Sequence, residues 1–141
     1  MTDTIALVPY KESDYASLSS LDLVDITQGK SSRLMQKIAS SHADTLLYTV
    51  HQNTAVGGVL QAQLHEENTV KLNALFIDVS LHIKHVVKAI LKGFIALCRQ
   101  GGVTTITAEV DPSTADYMMH AGFIKASSKH PYRLSYTIQS S

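Results

Sequence analysis

The sequence predicts one α/β (α+β) domain on a mixed sheet of six to seven strands, with its elements in the order β-α-α-β-β-β-α-β-α-β-β. Three observations carry that reading. From Thr45 to His65 apolar and polar residues alternate with a period of two, as half-buried strands do. Residues 72–79 are almost continuously apolar, the pattern of a central strand covered on both faces. Residues 81–99 then adopt a helical period and lead into a β-branched run at 103–110, so a βαβ crossover joins two parallel strands.

Taken in order, Ile5 to Val8 form a short apolar strand, ended by Pro9, which has no N–H for a ladder. Ser13 is placed to cap a helix, with Asp14 in its first turn and Tyr15, Leu18 and Leu21 on one face. Gly29 separates it from a second helix over residues 32–41, where Leu34, Met35 and Ile38 make the buried stripe. The next strand sets Leu46, Tyr48 and Val50 against Leu47, Thr49 and His51. Gln52-Asn53-Thr54 turns it into a hairpin. The return strand alternates Val56, Gly58, Leu60, Ala62 and Leu64 with Gln61, Gln63 and His65, and Gly57-Gly58 predicts a bulge or a close backbone approach.

Glu66-Glu67-Asn68 leads into a strand over 70–79. The helix that follows, with Ser80 as a suitable N-cap, places Ile83, Val87, Ile90, Leu91, Phe94 and Cys98 on one face. Lys84, Lys88 and Lys92 form the opposite stripe, and Gly101-Gly102 closes the helix. After the strand at 103–110, Asp111-Pro112-Ser113 opens a short helix through His120 that Gly122 ends. Strands at 123–127 and 132–138 finish the chain. In the last, Tyr132, Leu134, Tyr136 and Ile138 alternate with Arg133, Ser135 and Thr137. It reads as an exposed edge on which a second copy pairs to give a homodimer.

Composition narrows the function classes. A chain of 141 residues is read as one domain, 1–141, large enough to bury a core without staples. At 45% hydrophobic and 17% charged, it has apolar surplus for a buried sheet or an oligomer interface. Twelve basic residues balance twelve acidic ones, so no overall field draws nucleic acid or an anionic membrane. With no signal peptide and no apolar run long enough to span a bilayer, a cytoplasmic location is expected. Cys98 has no disulfide partner and reads as an inert core thiol. His82 and His85 are three apart, but no third ligand stands at a metal-site spacing, so no metal is expected. No Ser-His-Asp order or glycine-rich nucleophile elbow occurs.

Residues 101–123 are the most distinctive stretch. A helix ends in Arg99-Gln100-Gly101-Gly102-Val103, a strand ends in Glu109-Val110, and a short helix ends in Gly122-Phe123. In these residues, and in element order over nearly its whole length, the chain resembles the GNAT acetyltransferase superfamily. The resemblance implies an N-acetyltransferase that moves an acetyl group from acetyl-CoA to a small amine or a protein amino group. It also implies a V-shaped cleft between the strands at 70–79 and 103–110. Backbone groups at Phe76, Ile77 and Val79 would pair with the pantetheine arm of the acyl-CoA. The turn His82-Ile83-Lys84-His85-Val86-Val87 would receive the pyrophosphate, which free N–H groups and the positive end of a helix attract. Asp111 stands where the family often has an Asn that touches the cofactor.

The chain departs from the family pattern in its phosphate turn and in its acid. The family's turn usually reads Gln or Arg, two residues, Gly, one residue, then Gly or Ala; His85 and Val87 occupy both small positions here. His82, Lys84 and His85 then supply positive charge in place of the close contacts, or the turn is an ordinary helix start with a solvated lysine face. The family's frequent acid, a Tyr five residues before the Phe of Gly-Phe, is Met118, which has no proton to donate. Its neighbour Tyr117, ~100° around the helix, either protonates the leaving thiolate or only packs. Asp78 and Glu109, near the ends of the two cleft strands, are the candidate general bases, and each is also the kind of carboxylate that ends a strand in solvent. His120 reads as a helix-end cation. These departures leave an alternative: a GNAT-like domain without catalysis, a binding or regulatory module with or without a bound acyl-CoA.

Overall fold

The computed structural model describes residues 5–21, 23–25, 30–31, 45–53, 55–65, 68–81, 84–110, 112–127 and 132–138. The alternation at 45–65 folds into β4 (Thr45–Gln52) and β5 (Ala55–His65), turned at Asn53, whose φ of 58° suits a residue that tolerates the left-handed region. Ahead of them come β1 (Ile5–Pro9), α1 (Asp14–Ser19), β2 (Leu23–Asp25) and β3 (Lys30–Ser31). The apolar run becomes β6 (Thr69–Asp78), a 3-10 turn (Val79–Leu81) follows, and the amphipathic stretch becomes α2 (Lys84–Gln100). Then come β7 (Thr105–Val110), α3 (Pro112–His120), β8 (Ile124–Ser127) and β9 (Tyr132–Thr137).

Seven strands lie side by side in the order β1-β4-β5-β6-β7-β9-β8, with β2 and β3 branching from β6. Among the described residues only β6 and β7 run parallel, as a crossover through α2 requires. The mixed single-sheet expectation therefore holds. Two strands lie where the sequence reading had only connections: β2 and β3 are too short to show a period. The helix expected at 32–41 lies outside the described residues.

A bulge in β6 decides which side chains face which layer. Gln61 opposes Ala74 while Ala62 opposes Leu72, so Asn73 is the extra residue. Val70, Leu72, Leu75 and Ile77 join the main core with Val86, Val87, Ile90, Leu91, Phe94, Ile95 and Cys98 of α2. Ala74 and Phe76 belong to a smaller cluster with Leu18, Leu23 and Val59. The predicted apolar face of α2 is thus the buried one, and Lys92 is exposed opposite it. At the end of α2 Gly102 adopts φ 81°, with its N–H on the Arg99 carbonyl at 3.2 Å and the Val103 N–H on the Cys98 carbonyl at 2.9 Å. That pair of bonds caps the last turn as C-terminal glycines do.

Two capping expectations are corrected. Ser13 precedes α1 but makes no side-chain cap; Asp14 Oδ2 instead accepts from the Lys11 N–H and from Thr49 Oγ1, each at 3.0 Å. Ser80 is not the cap of α2, because the 3-10 turn intervenes and its N–H and hydroxyl both donate to Asp78 Oδ2. A third correction concerns assembly. β9 pairs with β7 on one side and β8 on the other, so it is no edge on which a second copy can add. The hairpin returning from β8 inserts the last strand of the chain inside the sheet.

Cys98 is 4% exposed, and burial pushes its thiol up from 9.0 to about 11. Between those values the unfolded chain ionises while the folded one keeps its proton, so this group takes stability away as pH rises from 9 toward 11. Denaturant titrations at pH 8 and 10 should show a loss that is smaller in Cys98→Ala. At pH 8 a thiol reagent should react only after unfolding.

Candidate cofactor cleft

Parallel pairing between β6 and β7 runs from Thr69 opposite Thr105 to Leu72 opposite Ala108, and stops there. Both strands continue, β6 to Asp78 and β7 to Val110, without pairing to each other. The splay lies where the resemblance placed the cleft. One edge of β6 stays on β5, with Gly58 opposite Ile77 and Val59 opposite Phe76. The edge facing the splay meets β2, in the register Leu23 to Asp78, Val24 to Ile77 and Asp25 to Phe76.

Both features predicted from Gly57-Gly58 are present. Val50 opposes Gly58 while His51 opposes Val56, which leaves Gly57 as the extra residue of a bulge. A Cβ on Gly58 would stand 2.2 Å from the Phe76 carbonyl oxygen, so only glycine fits beside β6 at that point.

The predicted cofactor residues fall as follows. Phe76 and Ile77 are 1% and 0% exposed, and Val79, in the 3-10 turn, is 49% exposed. His82, Ile83 and Asp111 lie outside the described residues. Lys84 and His85 open α2, whose first turn carries no acidic residue, so its N–H groups present an end suited to an anion. Val86 and Val87, 2% and 0% exposed, turn into the main core.

Of the proton-transfer candidates, Asp78 is tied to Ser80 across the turn. Glu109 Oε1 lies 3.9 Å from both Lys71 Nζ and Arg133 Nε. These three side chains, with Thr107 and Ser135, line an open groove of about 390 Å³ on the sheet. Sequence reasoning missed Lys71 and Arg133. The available signal was Lys71 itself, the one cation in a mostly apolar strand. Tyr117 is partly buried against the main core on α3, next to Met118, which is 1% exposed within it. His120 ends α3, with Nδ1 2.8 Å from the Asp116 carbonyl oxygen, in keeping with a helix-end role. Among the described residues no cluster of His, Cys, Asp and Glu could hold a metal, and no helix is long and apolar enough to cross a membrane.

No family model and no curated protein matches the sequence. Solved structures do match over the whole chain. The ribosomal-protein-S18-alanine N-acetyltransferase of Escherichia coli aligns over 99% of this chain and 96% of its own, with a TM-score of 0.74 at 13% identity. An acetyltransferase of the GNAT family from Staphylococcus aureus aligns over 96% of this chain and 100% of its own, with a TM-score of 0.64 at 15% identity. The chain has the GNAT fold. A further GNAT-fold neighbour, the PaiA N-acetyltransferase of Thermoplasma acidophilum, was solved in complex with coenzyme A. It aligns over 96% of this chain and 99% of its own, with a TM-score of 0.68 at 13% identity. At these identities the likeness is one of fold, and it extends from β1 to β9.

Proposed function

We propose that this GNAT-fold chain is a cytoplasmic N-acetyltransferase, using acetyl-CoA to acylate a small amine or a protein amino group. The observation that supports it most is the splay: in a GNAT fold, β6 and β7 part after Leu72 and Ala108. The residues present fit the donor in charge. The start of α2, from Lys84 to Val87, offers helix N–H groups and no first-turn acid to the pyrophosphate. Backbone groups at Phe76, Ile77 and Val79 would take the pantetheine arm once β2 is off that edge. Asp111 would contact the donor from the head of α3.

Acetyl-CoA supplies the thioester whose acyl carbon the amine attacks. The acceptor must arrive as a neutral amine, so a carboxylate, Glu109 or Asp78, takes the ammonium proton. As the C–N bond forms and the C–S bond breaks, Tyr117 gives its hydroxyl proton to the departing thiolate, and the proton that the new amide nitrogen sheds returns to Tyr117 through solvent. Holding amine and thioester together supplies much of the remaining rate.

One observation favours a second reading, a GNAT-like module that binds acyl-CoA without turnover. Met118 stands in the core where the family's acid would be. A melting curve with acetyl-CoA tests both. Free ligand at ~100 times its dissociation constant should add ~2.7 kcal/mol of stability. No shift at millimolar acetyl-CoA would sink both readings, whereas a shift without acetyl transfer to any amine offered would leave the module.

A further inference from the structure

We infer that β2 is an internal strap lying over the cofactor edge of β6, and that it must leave before an acyl-CoA can dock. The inference rests on the acetyl-CoA reading above. Strand β6 has two edges to offer. At Phe76 and Ile77 one is taken by Val59 and Gly58 of β5, and the other by Asp25 and Val24 of β2. The pantetheine arm carries two amides, which need backbone partners on a strand edge when they enter a site with little water. The only edge that the splay opens at Phe76–Asp78 is the one β2 holds. Strap and arm therefore exclude each other.

Among the described residues the strap is held lightly: it pairs with β6 over three, where β5 pairs over eight, and its outer neighbour β3 pairs with it over two. Leu23, 8% exposed, anchors it in the smaller cluster with Leu18, Val59, Ala74 and Phe76. Short pairing marks the segments that open first in a native protein. When β2 leaves, Leu23 leaves that cluster too, so donor binding is coupled to the α1 side of the sheet.

The coupling is measurable because apparent affinity falls with the fraction of molecules whose edge is open. Successive strand residues point their N–H groups to opposite neighbours, so Val24→Pro with Asp25→Pro removes one donor toward β6 whichever register carries it. Binding of acetyl-CoA to the full-length chain and to this double variant should differ, with roughly a fivefold or greater drop in Kd for the variant. In the unaltered protein, hydrogen exchange at Leu23, Val24 and Asp25 should speed up when acetyl-CoA is added. Exchange at Phe76 to Asp78 should stay slow. That measurement needs no variant to fold. Unchanged or slower exchange at β2 with acetyl-CoA bound, or equal Kd values for the two proteins, would overturn the strap while leaving the donor reading intact. Binding to neither protein would overturn both.

Discussion

Gly58→Ala is expected to lower stability by about 1–3 kcal/mol, the range for overfilling a packed site, and to blunt the response to acetyl-CoA. The added Cβ would lie 2.2 Å from the Phe76 carbonyl oxygen and 3.1 Å from Ile77 Cα. Both atoms are backbone, so no rotamer change relieves the overlap. The strand itself must shift, and it is the strand whose other edge faces the splay. Gly93→Ala is the control. There, among the described residues, the new Cβ would meet only Leu7 side-chain atoms at 3.8 and 3.9 Å, an ordinary contact, inside a helix that prefers alanine by about 0.5–1 kcal/mol. Denaturant unfolding should place the two variants on opposite sides of the unaltered chain. A Gly58→Ala protein as stable as the parent would mean that β5 and β6 are not this close.

The contrast between these glycines shows what was legible in the sequence. Gly57-Gly58 interrupts a two-residue period, and an interrupted period is a local signal, so bulge and close approach were both readable. The same holds for α2, whose apolar face is written at helical spacing and is the face buried under the sheet. Sheet order is not local. Tyr132 to Ile138 alternate as an edge or an inner strand does, and only the antiparallel return of β8 puts β9 inside. The groove of Lys71, Glu109 and Arg133 draws on β6, β7 and β9, three strands far apart in sequence, so no spacing announces it. β2 was hidden for a different reason. Three residues carry no period, and their pairing with Phe76 to Asp78 is set by the edge that β7 leaves unpaired.

Tyr117→Phe is expected to cut the acetylation rate by roughly 100-fold, the low end of what a positioned proton donor supplies, while leaving the melting temperature near that of the parent. Met118 is the reason. Its side chain is 1% exposed in the main core, so the position that would hold the family's acid is fixed by packing and brings no proton. One residue earlier, Tyr117 is only partly buried against the same core, and it is the one tyrosine on α3. Removing its hydroxyl keeps the ring and its packing, so a merely structural tyrosine would pass the substitution with turnover unchanged. A loss of 100-fold corresponds to ~2.7 kcal/mol of transition-state stabilisation. It should also depend on the leaving thiolate: an acyl donor whose thiol is a stronger acid needs less help, and the gap between Tyr117 and Phe should narrow with it. A gap that stays constant across such donors would assign Tyr117 to holding the substrate, and the proton would then come from water.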